Sequence, residues 1–196
     1  MGKTGTKGFT TIVLLLVIVG LAYYVHLSNR NRNQKEERAK TEVEQLLQYD
    51  FENDYPKTVR ETVKLHCRYM KCAYNKGFSD EELIVANQNI RKLFDEELLK
   101  FNTEQSQLTG LKDEIALYDE NKQKFVSYSL SESSQIQYNE EGGQEYAKMK
   151  VGIVIKAGSS TLSGDEEYIL RKDSQGYWKI LGWQAIKKDT TEGESN

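Results

Sequence analysis

The sequence predicts an α+β fold: an N-terminal transmembrane helix, then about three helices packed on a curved antiparallel sheet of about four strands. Three observations carry that expectation. One long uncharged apolar run opens the chain. Apolar residues then recur at helical spacing as far as Tyr118. After Lys124 the spacing changes to alternation, the period of a strand with one buried face.

The opening run is Phe9 to Leu27, FTTIVLLLVIVGLAYYVHL, with no Asp, Glu, Lys or Arg. As a helix it covers about 28 Å, close to the hydrocarbon thickness of a bilayer. A helix satisfies its own backbone hydrogen bonds there. Tyr23 and Tyr24 fall where interfacial aromatics are favoured, near the helix end. The run therefore reads as a membrane anchor, with the lipid bilayer as the partner of residues 9–27. A cleaved signal peptide is the rival: Lys3 and Lys7 precede the run, and Gly20 and Ala22 have peptidase-site spacing. The apolar run continues through Val25, which leaves no polar stretch before such a cut.

Arg30, Arg32, Lys35, Arg38 and Lys40 outnumber Lys3 and Lys7, and a plain charge count would hold the C-terminal side in the cytoplasm. Long C-terminal domains translocate largely regardless of charge, and an eight-residue N-tail is the form of a signal-anchor. The expectation is a single-pass cell-membrane protein with its domain extracytoplasmic. The divisions are residues 1–8 as a tail, 9–27 as the membrane helix and 28–42 as a polar linker or stalk. Residues 43–187 form the domain, and 188–196 a disordered tail without apolar residues.

Within the domain, Val43, Leu46 and Leu47 start an apolar face that ends near Tyr49. Pro56, the single proline, sets a boundary, because the residue before a proline avoids the helical region. Thr58 and Glu61 have capping-box spacing. Val59, Val63, Cys67, Met70 and Tyr74 then share one stripe, and Gly77 stops the helix. Ser79 and Glu82 form a second capping box, with Phe78 and Leu83 placed as a hydrophobic staple. Leu83, Ala86, Ile90, Leu93, Phe94 and Leu98 continue as one stripe to an end at Asn102-Thr103. Leu108, Leu111, Ile115 and Tyr118 give a third helix, weakened by Gly110.

The strand region starts with Val126, Tyr128 and Leu130 on one face. Ala147, Met149, Val151, Ile153 and Ile155 share a face of the next strand, with Glu141-Gly142-Gly143 as the turn between them. Tyr168 and Leu170 mark a third strand. Asp173-Ser174-Gln175-Gly176 is a turn, and Tyr177 to Ile186 a fourth strand. That strand carries Trp178 and Ile180 on one face and Leu181 and Trp183 on the other, which predicts a central or helix-wrapped position.

The element order and the ending Leu170-Arg171-Lys172-Asp173-Ser174-Gln175-Gly176-Tyr177-Trp178-Lys179-Ile180 resemble the cone-shaped fold of nuclear transport factor two-like domains. Over residues 40–186 the chain also resembles an uncharacterised family of single-span Gram-positive bacterial membrane proteins. The residues behind that likeness are Tyr55-Pro56 with Thr58 and Glu61, Lys71-Cys72-Ala73-Tyr74-Asn75, Leu93-Phe94-Asp95-Glu96-Glu97-Leu98, and Gly176 to Ile180 with Gly182-Trp183. The likeness implies a fold and a location but no activity. Lys7-Gly8-Phe9-Thr10-Thr11-Ile12-Val13-Leu14-Leu15 is similar to the processing site of type IV pilin precursors, which would cut after Gly8. Val13 stands where that family has an acidic residue.

Composition excludes several chemistries. The 27 basic residues, less Lys3 and Lys7, face 30 acidic ones, a net charge of about −5 beyond the anchor. An acidic domain without a basic stripe is a poor nucleic-acid binder. Two cysteines and two histidines are too few for a zinc site. Cys67 and Cys72 lie on different helix faces, too far apart to bridge, and read as packing residues. His66 beside Cys67 points elsewhere on the same helix, so the two make a poor catalytic pair. Isomerase-like members of the cone fold set an acid against a tyrosine. Tyr74, Tyr128 or Tyr168 with Glu167 are the nominees here, although a core tyrosine with its hydroxyl at the rim is the commoner outcome. No catalytic residue, metal ligand or cofactor is expected, and the ligand-binding residues are unknown. The function expected is a non-catalytic binding or interaction module for a protein, cell-wall or small-molecule partner. The alternatives are a pocket-bearing enzyme or a pilin-like protein.

Overall fold

A computed structural model describes residues 42–186. Contacts divide the chain into Met1–Glu44 and Gln45–Asn196, and the second unit holds the architecture. The expected anchor at 9–27, its flanks and the tail from 188 lie outside the described residues. Among the described residues no helix is long and apolar enough to cross a membrane.

The fold is α+β, with helices preceding an antiparallel sheet. After a helical turn at 42–47 come α1 (Val59–Tyr74), α2 (Asp80–Lys92), α3 (Glu96–Phe101) and α4 (Glu104–Glu120). The strands are β1 (Gln123–Leu130), β2 (Gln137–Glu141), β3 (Gln144–Ala157), β4 (Ser160–Lys172) and β5 (Trp178–Ile186). Their order is β1-β3-β4-β5, with β2 paired to β3 beyond the end of β1.

Both expected capping boxes form. Thr58 accepts from Glu61 N and Ser79 from Glu82 N, while each glutamate reaches back to the cap backbone. This satisfies donors that a helix start leaves unpaired. α1 is the central helix: Val59, Val63, Leu65, His66, Cys67, Tyr69 and Ala73 are all buried. It meets β1, β3 and β5 as well as α2 and α4. Tyr69 donates to Leu46 O at 2.5 Å and Asn89 to the carbonyls of Leu46 and Leu47 at 3.2 Å. These bonds close the last carbonyls of the 42–47 turn.

The sheet is buried on the face carrying Met149, Val151, Tyr168, Leu170 and Ile180. Lys148 and Lys150 stand exposed on the other face of β3, as the alternation requires.

Four elements depart from the expectation. The stripe Leu83–Leu98 is two helices, because Asp95 caps a new one by accepting from Glu97 N at 2.8 Å. At this break Asp95 N donates to Ile180 O and Ile180 N to Leu93 O, both at 2.8 Å, so residues 93–95 extend the sheet beside β5. Gly110 does not weaken α4 visibly, since one glycine costs only about 1 kcal/mol and the helix runs through it. β2 was not anticipated: QYNEE has no apolar alternation and all five residues are exposed, so backbone pairing to β3, with Tyr138 set against Trp178, makes it a strand. The Gly142-Gly143 turn joins β2 to β3, with both glycines at positive φ. Finally, β5 ends the main strand order and is not central; of the two expected positions it takes the helix-wrapped one, with α1 and α3 against it.

Two bulges shift the strand faces. One between Phe125 and Ser127 leaves Val126 unpaired and half-exposed, and buries Phe125 in its place. The other skips Leu181: Leu170 faces Ile180 but Ile169 faces Gly182 and Tyr168 faces Trp183. Trp183 is thereby on the helix-facing side with Trp178 and Ile180, opposite to the expected face.

Arg171 of β4 locks the α2–α3 break. Its Nε donates to Asp95 Oδ2 at 3.0 Å and its Nη2 to Oδ1 at 2.5 Å, with Glu97 at 3.3 Å from Nη1. The Asp95 side chain is 3 % exposed and that of Arg171 16 %. Arg171→Ala strands a buried carboxylate, and stability measured by urea denaturation falls by about 3–5 kcal/mol. In an Asp95→Asn background the same substitution costs less than half as much, because no charge is left unpaired.

Candidate functional site

α1, α2, the α3 region, α4 and β5 line a half-open cavity of about 330 Å³. That is within the range of small-molecule sites, about 300–1,000 Å³. Met70, Phe94, Leu98 and Trp183 give it an apolar lining, and Asn102, Gln107 and Glu114 a polar share. Helical spacing puts Gln107, Gly110, Leu111 and Glu114 on one face of α4.

The Leu181 bulge builds one wall. Trp183 stacks on Tyr168 with ring centroids 5.8 Å apart and planes 15° apart. It also lies 4.8 Å from the His66 ring and 5.7 Å from Phe94. Aromatic pairs at such separations add specific geometry to plain burial.

His66 is the notable polar group. It is 1 % exposed. Its Nδ1 lies 3.1 Å from the Tyr168 hydroxyl, and its Nε2 is buried without a protein partner. An unsatisfied buried nitrogen is costly, and this one belongs to a residue that lines the cavity. Burial pushes the His66 pKa down to about 3, so the ring is neutral at physiological pH. Cys67 Sγ lies 4.0 Å from the same Tyr168 hydroxyl, and burial pushes its thiol up to about 12. A thiol at that value is not a nucleophile at neutral pH.

The nominated tyrosines separate. Tyr168 is buried at the centre of this network, and burial raises its pKa well above that of a free phenol. Glu167 is not its acid: adjacent strand residues point to opposite faces, which leaves Glu167 across the sheet. Glu166, on the Tyr168 side, is the neighbour. Burial raises its pKa, and the nearby Tyr168 hydroxyl opposes that rise. Tyr74 donates to Glu114 Oε2 at 2.5 Å and stacks on Tyr118 at 4.4 Å. Burial, then the Glu114 contact, raises the Tyr74 pKa. Tyr128 is half-buried beside Phe125 and opposite Ile153, and is not among the residues lining the cavity. Cys67 and Cys72 are both unbridged. Among the described residues no three His, Cys, Asp or Glu side chains are placed to hold a metal ion.

Sequence reasoning missed Glu166, Glu114 and the facing of Trp183. Glu166 was legible, two residues from Tyr168 on an alternating strand. Gly182 was the signal for Trp183, since a glycine inside a strand often marks a bulge. Glu114 had no local signal, because α4 meets α1 only through tertiary packing.

The sequence pattern of a family described as "Domain of unknown function (DUF6715)" matches residues 1–183. No curated protein matches the chain. A solution structure of TraH, named as a transfer protein of the Gram-positive conjugative plasmid pIP501, aligns over 68 % of this chain and 97 % of its own. The identity is 13 % and the TM-score 0.36, too low to establish a common fold.

The neutral His66 sets a pH dependence. The unfolded chain takes up a proton as pH falls below about 6.5, whereas the folded chain does not until about 3. Stability from this group is complete above 6.5 and is lost as pH falls through that window, at about 1.4 kcal/mol per pH unit. Between pH 6.5 and 5 the loss is about 2 kcal/mol. In denaturation midpoints across that range, His66→Gln flattens the slope.

Proposed function

From the premise that the chain belongs to this uncharacterised family, we propose that it is a membrane-tethered binding module without catalytic activity. Its domain sits on the outer face of the cell membrane, and the cavity between the helices and β5 is where a ligand is held. The observation that carries this reading is the cavity itself, open to solvent and backed by buried groups whose protonation states are inert. A protonated thiol and a neutral imidazole of pKa about 3 suit recognition, not proton transfer or nucleophilic attack at neutral pH. The resemblance to nuclear transport factor two-like domains points the same way, since such cones hold ligands between sheet and helices. For the tether, the support is the uncharged run at 9–27, of bilayer-spanning length. The family match begins at residue 1 and so takes that run in.

Gly110 supplies a test. It lines the cavity, and a side chain built there meets nothing within 4 Å. Gly110→Leu therefore fills the space while gaining about 0.8 kcal/mol of helix propensity. In thermal-shift assays on the full-length chain in mild detergent, water-soluble apolar fragments raise the melting temperature of the wild type but not of Gly110→Leu. A fragment panel in which no binder depends on Gly110 refutes the cavity reading. Protease added to intact cells removes a C-terminal tag if the domain is outside, and spares it if the domain is inside.

A further inference from the structure

We infer that the solvent-facing arc of α1 docks the domain on an anionic lipid surface. This rests on the tether proposed above and deepens it by naming the face that meets the bilayer.

The acidic balance of the chain conceals a basic stripe, and the expected absence of one does not hold on α1. At about 100° per residue, Arg60, Lys64, Arg68 and Lys71 fall within an arc of about 80°. Val59, Val63, His66, Tyr69 and Ala73 take other sides of the helix and are buried. Lys57, just before the helix, adds a further cation. Lys57 and Lys64 are exposed, and Arg60, Arg68 and Lys71 half-buried. Glu61 is the one acid of α1. Its carboxylate is engaged at the cap, accepting from the backbone N of Lys57 at 3.0 Å and of Thr58 at 3.2 Å. Among the described residues Lys57, Lys64 and Lys71 form no ion pair.

Two observations name the occupant. The first is where the chain enters the domain. Arg68 Nη2 donates to Gln45 Oε1 at 3.3 Å, so the start of the domain lies against the stripe. Residues 28–41, between the apolar run and that start, span at most about 50 Å when fully extended. The stripe is therefore within reach of the bilayer that holds the tether.

The second is the distribution of charge. α4, which packs on another side of α1, carries Glu104, Asp113, Glu114, Asp119 and Glu120 against Lys112. An anionic surface draws the α1 stripe and repels α4, which selects one orientation. Each Lys or Arg held at such a surface contributes about fivefold in affinity. Beside the stripe, Lys57, Lys64 and Arg68 share a cleft of about 260 Å³ with Tyr49, and Asp54 and Glu61 are the opposing charges there. Cations in that number suit a lipid phosphate, and tyrosine favours the headgroup layer.

The test places the full-length chain in bilayer nanodiscs of phosphatidylcholine, either alone or with one third phosphatidylglycerol. A water-soluble acylating reagent then reads lysine reactivity by peptide mass spectrometry. In the anionic discs the rates at Lys57, Lys64 and Lys71 fall at least about fivefold, while Lys112 and Lys148 keep theirs. High salt restores the lost reactivity. Lys64→Gln with Lys71→Gln frees Lys57 in the anionic discs, whereas Lys64→Arg with Lys71→Arg leaves it protected. Equal rates in the two discs, with the chain inserted, overturn the docking face and leave the tether standing. A chain that enters neither disc refutes the tether and the docking together. Protection by double-stranded DNA in the uncharged discs, as strong as that by anionic lipid, overturns lipid as the occupant.

Discussion

Asp95 performs three tasks, two of them at one nearly buried carboxylate. It caps α3, it receives the paired bonds of Arg171, and its backbone joins Ile180 of β5. Without the cap, the apolar stripe from Leu83 to Leu98 has no reason to break. Without the break, residues 93–95 cannot lie beside β5. A buried ion pair is expensive to form because both charges lose water. Its value here is positional, since it fixes β4, β5 and the α2–α3 junction against each other. Phe94 and Trp183, on the two sides of that junction, then face the same cavity.

A single extra residue in β5 does the rest. With Leu181 skipped, Trp183 turns to the helix side and packs on Tyr168 and His66. The wall it forms gives α1 a chemically unusual environment. His66 and Cys67 are consecutive on the central helix, yet both meet the Tyr168 hydroxyl from different directions. They are held by a shared phenol and not by each other. Burial keeps both in their uncharged forms. The network is thus a polar seam in an apolar core, in which His66 Nε2 is buried without a partner. A buried polar network that is nearly complete tends to rigidify its surroundings, which suits a preformed seat.

The family match spans the apolar run and the domain together, so the two parts travel as one chain. In the function we propose, tether and cavity make physical sense as a pair: a ligand seat held at a membrane surface works at high local concentration relative to anything else on that surface. The acidic balance of the domain fits a site whose one formal charge is negative.

Local chemistry decided much of this protein on its own. The capping boxes at Thr58 and Ser79, the Asp173–Gly176 turn and the inward residues of β3 and β4 follow from short-range patterns. Each depends on neighbours within four residues, where side chain and backbone meet regardless of the rest of the chain. What tertiary structure decided lies where distant segments compete for the same backbone groups. Asp95 was free to continue a helix until β5 offered Ile180. β2 became a strand because β3 had unpaired groups beyond β1. Val126 and Trp183 left their expected faces because a bulge adds one residue, and a period of two reverses with every residue added. The cavity belongs to this second class: its walls come from segments more than a hundred residues apart, and no short window of sequence contains both His66 and the Trp183 that covers it.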